Sequence, residues 1–232
     1  MAIEKAKWKT TTERFVVFLD IMGFKDLVAR NSHREVFSVM RELSKTKKFL
    51  DWVFTVAGQK GSVETTTFSD SIMLFSNDNT PNSLKNISLA TNYLMREALA
   101  KSIPLKGAIA VGEISVDRIN QIYFGQPLID AYLLQEEVYY YGIVAHNSID
   151  KYFNEALKAK KVEDFIEIKT PLKVGLVSHQ NLNWFSYIAD DDPTIKKEFD
   201  DQILKIKSLT SGHPRKYIDN TIEVFNSIYT KK

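Results

Sequence analysis

"FVVFLDIMGFKDLV", Phe15 to Val28, is an apolar run that ends in an aspartate, meets a glycine three positions later and goes on as an amphipathic segment. Phe15–Leu19 consists of β-formers with no polar alternation, the pattern of a strand covered on both faces. Gly23 and Phe24 then open a helical region. An ionised aspartate at the end of a buried strand is costly unless a proton, a cation or a capping role compensates it. An N-cap is the commonest use of Asp at a strand–helix junction. From this stretch alone, cap and cation site both stay open.

Working outward, Arg34–Phe49 continues the helical pattern with apolar residues at Val36, Phe37, Met40 and Leu43. "VETTTFSDSIMLFS" (63–76) reads as two strands folding back at Ser69–Ser71. Thr80–Pro81 starts a capped helix with proline in its first turn, and Leu84, Ile87, Leu94, Met95 and Ala98 form its buried stripe. "PLKGAIAVGEISV" and "QIYFG" read as two further strands, with Gly112 and the 117–120 region bending the chain. Leu128, Ala131, Leu134 and Val138 give one more helical face. "GIVAHNS", "FIEI" and "LKVGLV" suggest short strands, and the tail from Pro193 to Tyr229 reads as two helices broken at "SGHP" (211–214). The order β, helices, β, β, α, β, β, α implies an α+β fold: a ferredoxin-like core with a mixed, mainly antiparallel sheet and helices packed on it. C-terminal helical additions follow. One domain spanning 1–232 is expected, with a core at about 14–146 and an extension at about 147–232.

Thirty-one basic against twenty-nine acidic residues leave a net charge of +2. That balance argues against a nucleic-acid or membrane partner. The basic runs "KTKK" (45–48) and "KAKK" (158–161) fit solvated helix ends, where cations suit the dipole. The absence of cysteine excludes disulfide, thiolate and zinc-thiolate chemistry. "MAIEKAKWKT" is followed by no apolar leader, and no window reaches the ~20 apolar residues of a membrane span, so a cytoplasmic location is expected.

Asp70 sits at the tip of the first hairpin. In a ferredoxin-like sheet that hairpin lies beside the opening strand, so Asp20 and Asp70 can meet at one edge. Two carboxylates pushed together favour protonation of one. A hard divalent cation removes the repulsion, because Mg²⁺ or Mn²⁺ prefers one or two carboxylates plus phosphate oxygens. Between them "IMGF" makes a tight strand-to-helix turn whose backbone N–H groups can face a phosphate.

These blocks, in this order, resemble the class III nucleotidyl cyclase catalytic domain from about Phe15 to Glu137. The opening pattern is "VVFLDIMGF", the second metal aspartate lies in "TTTFSDSIMLF", the central strand is "PLKGAIAVGE", and the following strand and helix are "YFGQPLIDAYLLQE". The resemblance implies nucleoside triphosphate cyclisation by a two-metal mechanism in homodimers that share active sites across the interface. Carried over, Asp20 and Asp70 become metal ligands and the Ile21 backbone a third. Gly23 and Phe24 line the triphosphate. The ions activate the ribose 3′-hydroxyl and neutralise the leaving diphosphate. No histidine general base is needed, which suits four scattered histidines (33, 146, 179, 213).

The departures matter as much. Thr66 stands where purine cyclases carry the adenine-reading lysine, and Ile122 where they carry the matching aspartate. Ile129 and Leu133 replace the asparagine and arginine that serve the transition state. Metal ligands kept beside a rebuilt base pocket resemble the short, stand-alone pyrimidine cyclases of bacterial Pycsar antiphage systems, which make cyclic CMP or cyclic UMP to activate an effector. Lys106, before "GAIAVGE", is the candidate phosphate or transition-state cation, with Arg14 second to it. Tyr123 is placed to wall off a small base, and Glu113 is a candidate pocket acid. Without lysine at position 66 no strong donor awaits the uracil O4, which favours CTP over UTP.

Overall fold

A computed structural model describes residues 8–56, 58–59, 61–153, 164–186 and 193–229. The elements that place the site are β1 (Thr11–Ile21), α1 (Phe24–Arg30), α2 (His33–Val56), β2 (Val63–Phe68), β3 (Ser71–Ser76), α3 (Pro81–Ala100), β4 (Leu105–Asp117), β5 (Ile122–Gly125) and α4 (Gln126–Glu137). After them come β6 (Ile143–Ala145), β7 (Phe165–Leu172), β8 (Gly175–Leu182), α5 (Pro193–Leu209) and α6 (Arg215–Tyr229). The strands form one sheet in the order β2-β3-β1-β4-β6-β8-β7, with β5 paired to β4. Among the described residues only β4 and β6 run parallel; the other strand pairs are antiparallel. The first four positions reproduce the ferredoxin-like arrangement expected from the order of elements.

β1 is covered on both faces, as its unbroken apolar run requires. Phe15, Val17, Leu19 and Ile21 join the main core with Leu43, Leu50 and Phe54 of α2 and Leu84, Ile87, Leu94 and Ala98 of α3. Val16 and Phe18 point the other way, Phe18 packing with Ala110 and with Ala131 of α4. Asp20 shares their parity and so lies on the α4 face. The α3 cap is as the sequence indicates: Thr80 accepts from the Ser83 N–H, with proline in the first turn.

Four local expectations change or stay open. "KTKK" lies inside α2 rather than at its end, because Leu50 and Phe54 keep the helix docked on the core for two further turns. β4 runs straight through Gly112, whose missing side chain lets Pro127 of α4 approach; a Cβ there would stand 3.3 Å from the proline ring. "LKVGLV" is not one strand but the end of β7, a two-residue turn at Lys173–Val174 and the start of β8, with Leu172 opposite Gly175. "KAKK" falls outside the described residues.

The tail is tied to the sheet. The Thr221 hydroxyl accepts from the Tyr141 N–H at 2.9 Å, and Asn220 Nδ2 donates to the Tyr139 carbonyl at 2.6 Å. α6 therefore lies across the end of the sheet where β1 finishes and β4 and β6 begin.

Candidate functional site

β1 delivers Asp20 to that same end, opposite Ser71 of β3 on one side and Lys106 of β4 on the other. Asp70 precedes Ser71 at the hairpin tip, where Ser69 takes φ 55° to close the turn. The Ile21 N–H donates to the Asp70 carbonyl at 2.9 Å, fastening the tip to the end of β1. Gly23 follows with φ 76°, the left-handed geometry that sends the chain from β1 into α1.

The electrostatics follow from that crowding. The Asp20 carboxyl is raised to about 6, chiefly by burial and then by the Asp70 charge, against the pull of the Lys106 ammonium. Lys106 is 5% exposed. Burial outweighs the attraction of Asp20 and leaves its ammonium lowered to about 8. Its Nζ donates to the Val138 carbonyl at 3.2 Å and to the Glu136 carbonyl at 3.4 Å, both at the C-terminal end of α4.

Asp20, Asp70 and Lys106 thus meet at one corner of the sheet. The two carboxylates suit a hard divalent cation: the donors are oxygens, and the repulsion between the acids is what an ion relieves. Among the described residues no group of three or more His, Cys, Asp and Glu side chains could hold a metal. An ion here would draw further ligands from the backbone, with Ile21 in place, and from a ligand's own oxygens. The Phe24 ring packs against the main core, leaving only its backbone at the turn.

Thr66 and Tyr123 come together although one is on β2 and the other on β5. The Thr66 hydroxyl donates to the Tyr123 hydroxyl at 3.3 Å, and the Tyr123 ring lies flat on Phe75, 5.5 Å between centroids and 8° between planes. Thr66 pairs with Met73 and Met73 with Phe18, so the pair shares the α4 face with Asp20. Ile129 and Leu133 are half exposed on the outer side of α4. Arg14 does not reach the corner. It stands about 20 Å up β1, with its guanidinium 4.2 Å from the Trp8 ring centroid. Glu113 pairs with Glu13 and has the opposite parity to Lys106, which puts it on the other face.

Tyr217 was not among the expected site residues. Its ring lies 5.6 Å from the Lys106 ammonium, and it feels the charge of Asp20. No short-range motif marks it, because α6 reaches the site only through tertiary packing. A cavity of about 900 Å³ opens beside the corner, lined by Ile21, Met22 and Gly23 on one side and by Ile206, His213 and Tyr217 on the other. Asp20, Asp70 and Lys106 do not line it.

No family model matches the sequence, and no curated protein matches it. Solved structures do. A bacterial light-regulated adenylyl cyclase is similar at 12% identity with a TM-score of 0.50, covering 84% of this chain and 100% of that one. The catalytic core of a rhodopsin-guanylyl cyclase with converted specificity, in complex with ATPαS, gives 14% identity and a TM-score of 0.49 over 75% of this chain and 98% of that one. Adenylyl cyclase CyaB from P. aeruginosa gives 14% and 0.47 over 74% and 95%. The mixed, mainly antiparallel sheet with helices packed on it is the class III cyclase fold.

Proposed function

We propose that this chain is a metal-dependent pyrimidine nucleotide cyclase, converting CTP, or UTP, to the 3′,5′-cyclic monophosphate and diphosphate. The observation that carries the reading is the convergence of Asp20, Asp70 and the Ile21 backbone beside a buried lysine, on the fold of the nucleotide cyclases. Residues 1–232 act as one domain in the cytoplasm, and the product activates a separate effector in antiphage defence of the Pycsar type, which the sequence resembles. A homodimer is supported by exposed apolar side chains on the α4 side: Phe68, Ile129 and Leu133.

A bound divalent ion, Mn²⁺ or Mg²⁺ and two per site, supplies Lewis-acid activation of the attacking hydroxyl and charge neutralisation at the triphosphate. Asp20, Asp70 and the Ile21 carbonyl are the residues that would hold it. Lys106 brings a fixed positive charge, held by backbone carbonyls, to the phosphate being attacked. The β1–α1 turn at Gly23 and Phe24 leaves backbone free to approach the triphosphate. Thr66 and Tyr123 shape the base site: a tyrosine ring lies where the resemblance puts the purine-reading groups, which favours the smaller base.

Incubating the purified protein with Mn²⁺ and each of ATP, GTP, CTP and UTP tests this. Cyclic CMP or cyclic UMP is expected; no cyclic pyrimidine product from folded protein would refute the assignment. Tyr123→Ala should open the base site, lowering the pyrimidine-over-purine ratio of kcat/KM by about tenfold or more, the scale of a lost pocket contact. An unchanged ratio would remove Tyr123 from base selection. A second reading, a catalytically silent nucleotide-binding module, is favoured by the apolar Ile129 and Leu133 at the positions of the transition-state groups. Calorimetry showing triphosphate binding without turnover would support it.

A further inference from the structure

Lys106 has three neighbours that hold it. The Val138 and Glu136 carbonyls take its ammonium at 3.2 and 3.4 Å, and the Tyr217 ring covers it at 5.6 Å. Tyr217 is itself 7% exposed and locked. Tyr139 meets it edge-on with 4.5 Å between centroids, and the Tyr139 hydroxyl is 2.8 Å from His213 Nε2. The Tyr217 carbonyl accepts from the Thr221 hydroxyl at 2.7 Å, and that hydroxyl also receives the Tyr141 N–H. A tyrosine face is a favourable neighbour for an ammonium within about 6 Å, more so when water is excluded. A lysine side chain is otherwise flexible and strongly hydrated, and loses its aim when its surroundings loosen.

We infer that Tyr217 is a positioning residue for Lys106, so that the C-terminal helical hairpin is a working part of the site rather than an appendage. This rests on the cyclase reading for the task of Lys106 but not for its placement. The ring covers the ammonium that the α4 carbonyls hold, and keeps it beside Asp20. The hydroxyl is dispensable, because the ring face does the holding.

The test compares Tyr217→Phe and Tyr217→Leu with the parent, well below each protein's melting temperature. Two readouts are used: cyclic product formation, and the rate at which an amine-reactive reagent labels Lys106, followed by mass spectrometry. Tyr217→Leu should lower kcat about tenfold with KM little changed, and should speed Lys106 labelling by a similar factor. Tyr217→Phe should match the parent in both. If Tyr217→Leu does not fold, Tyr217→Met keeps the volume without the ring face and replaces it. Parent-like labelling of Lys106 in the folded Leu or Met variant overturns the inference, and so does failure of Phe to restore it. If the parent makes no cyclic product from any of the four triphosphates, the cyclase reading fails, while labelling still decides the role of Tyr217.

Discussion

Asp20→Asn should abolish cyclic nucleotide formation, by about 10³-fold or more, and at the same time make the metal-free protein more stable near pH 8. The first effect follows from removing a charged ligand where phosphoryl-transfer charge must be neutralised, a loss of that size in comparable sites. The second follows from the crowding of the corner. In the folded chain the Asp20 carboxyl is raised from 3.8 to about 6, first by burial and then by Asp70. The native state therefore binds this proton more tightly than the unfolded chain does. The contribution of Asp20 to stability is full below pH 3.8, is lost as pH rises towards 6, and above that the ionised group is a standing penalty. An amide escapes the penalty. Melting curves at pH 8 without divalent ions should place Asp20→Asn above the parent by on the order of 2–4 °C, with the gap closing near pH 4. Adding Mn²⁺ should raise the parent's melting temperature and leave the variant's unchanged. An active variant, or one that Mn²⁺ stabilises as it does the parent, would remove the ion from this corner.

Gly107→Ala should prevent folding. A Cβ at position 107 would lie 2.3 Å from the Phe18 carbonyl oxygen and 2.6 Å from Leu19 Cδ2, with Ile143 Cδ1 at 3.1 Å on the far side. Leu19 can change rotamer, but the carbonyl belongs to the β1–β4 ladder and cannot retreat without parting the two central strands. The cost should exceed about 4 kcal/mol, the range reserved for overpacking that the core cannot absorb. Gly23→Ala is the control. Nothing lies within 4 Å of its Cβ position, and only the left-handed φ of 76° is penalised, at about 1–2 kcal/mol. Chemical denaturation of the soluble fraction separates the two. A cooperative transition for Gly107→Ala near the parent's midpoint would mean that the strands are more loosely paired than described.

Much of the corner was legible in the sequence because its parts are local. An apolar run ending in Asp20, and a hairpin tip at Asp70, become neighbours once β1 and β3 pair. The Thr66–Tyr123 meeting was not legible, since β3, β1 and β4 lie between β2 and β5 in the sheet. What escaped was set by packing at a distance. Nothing near "KTKK" says that Leu50 and Phe54 extend α2 past it, and nothing near Gly112 says that Pro127 needs the space. Tyr217 carries no motif at all: an aromatic on an amphipathic helix is ordinary until the helix is laid across the end of β4.

The strand order has a kinetic consequence. β1 leaves the ribosome before both of its neighbours, β3 and β4, which are encoded far downstream, and its pairing with β4 is the longest ladder it makes. Until those segments emerge, Phe15–Leu19 is a bare, sticky stretch with no partner, and closing such distant pairs is slow. The nascent chain therefore has a vulnerable interval in which chaperone shielding, rather than final stability, governs the yield of soluble protein.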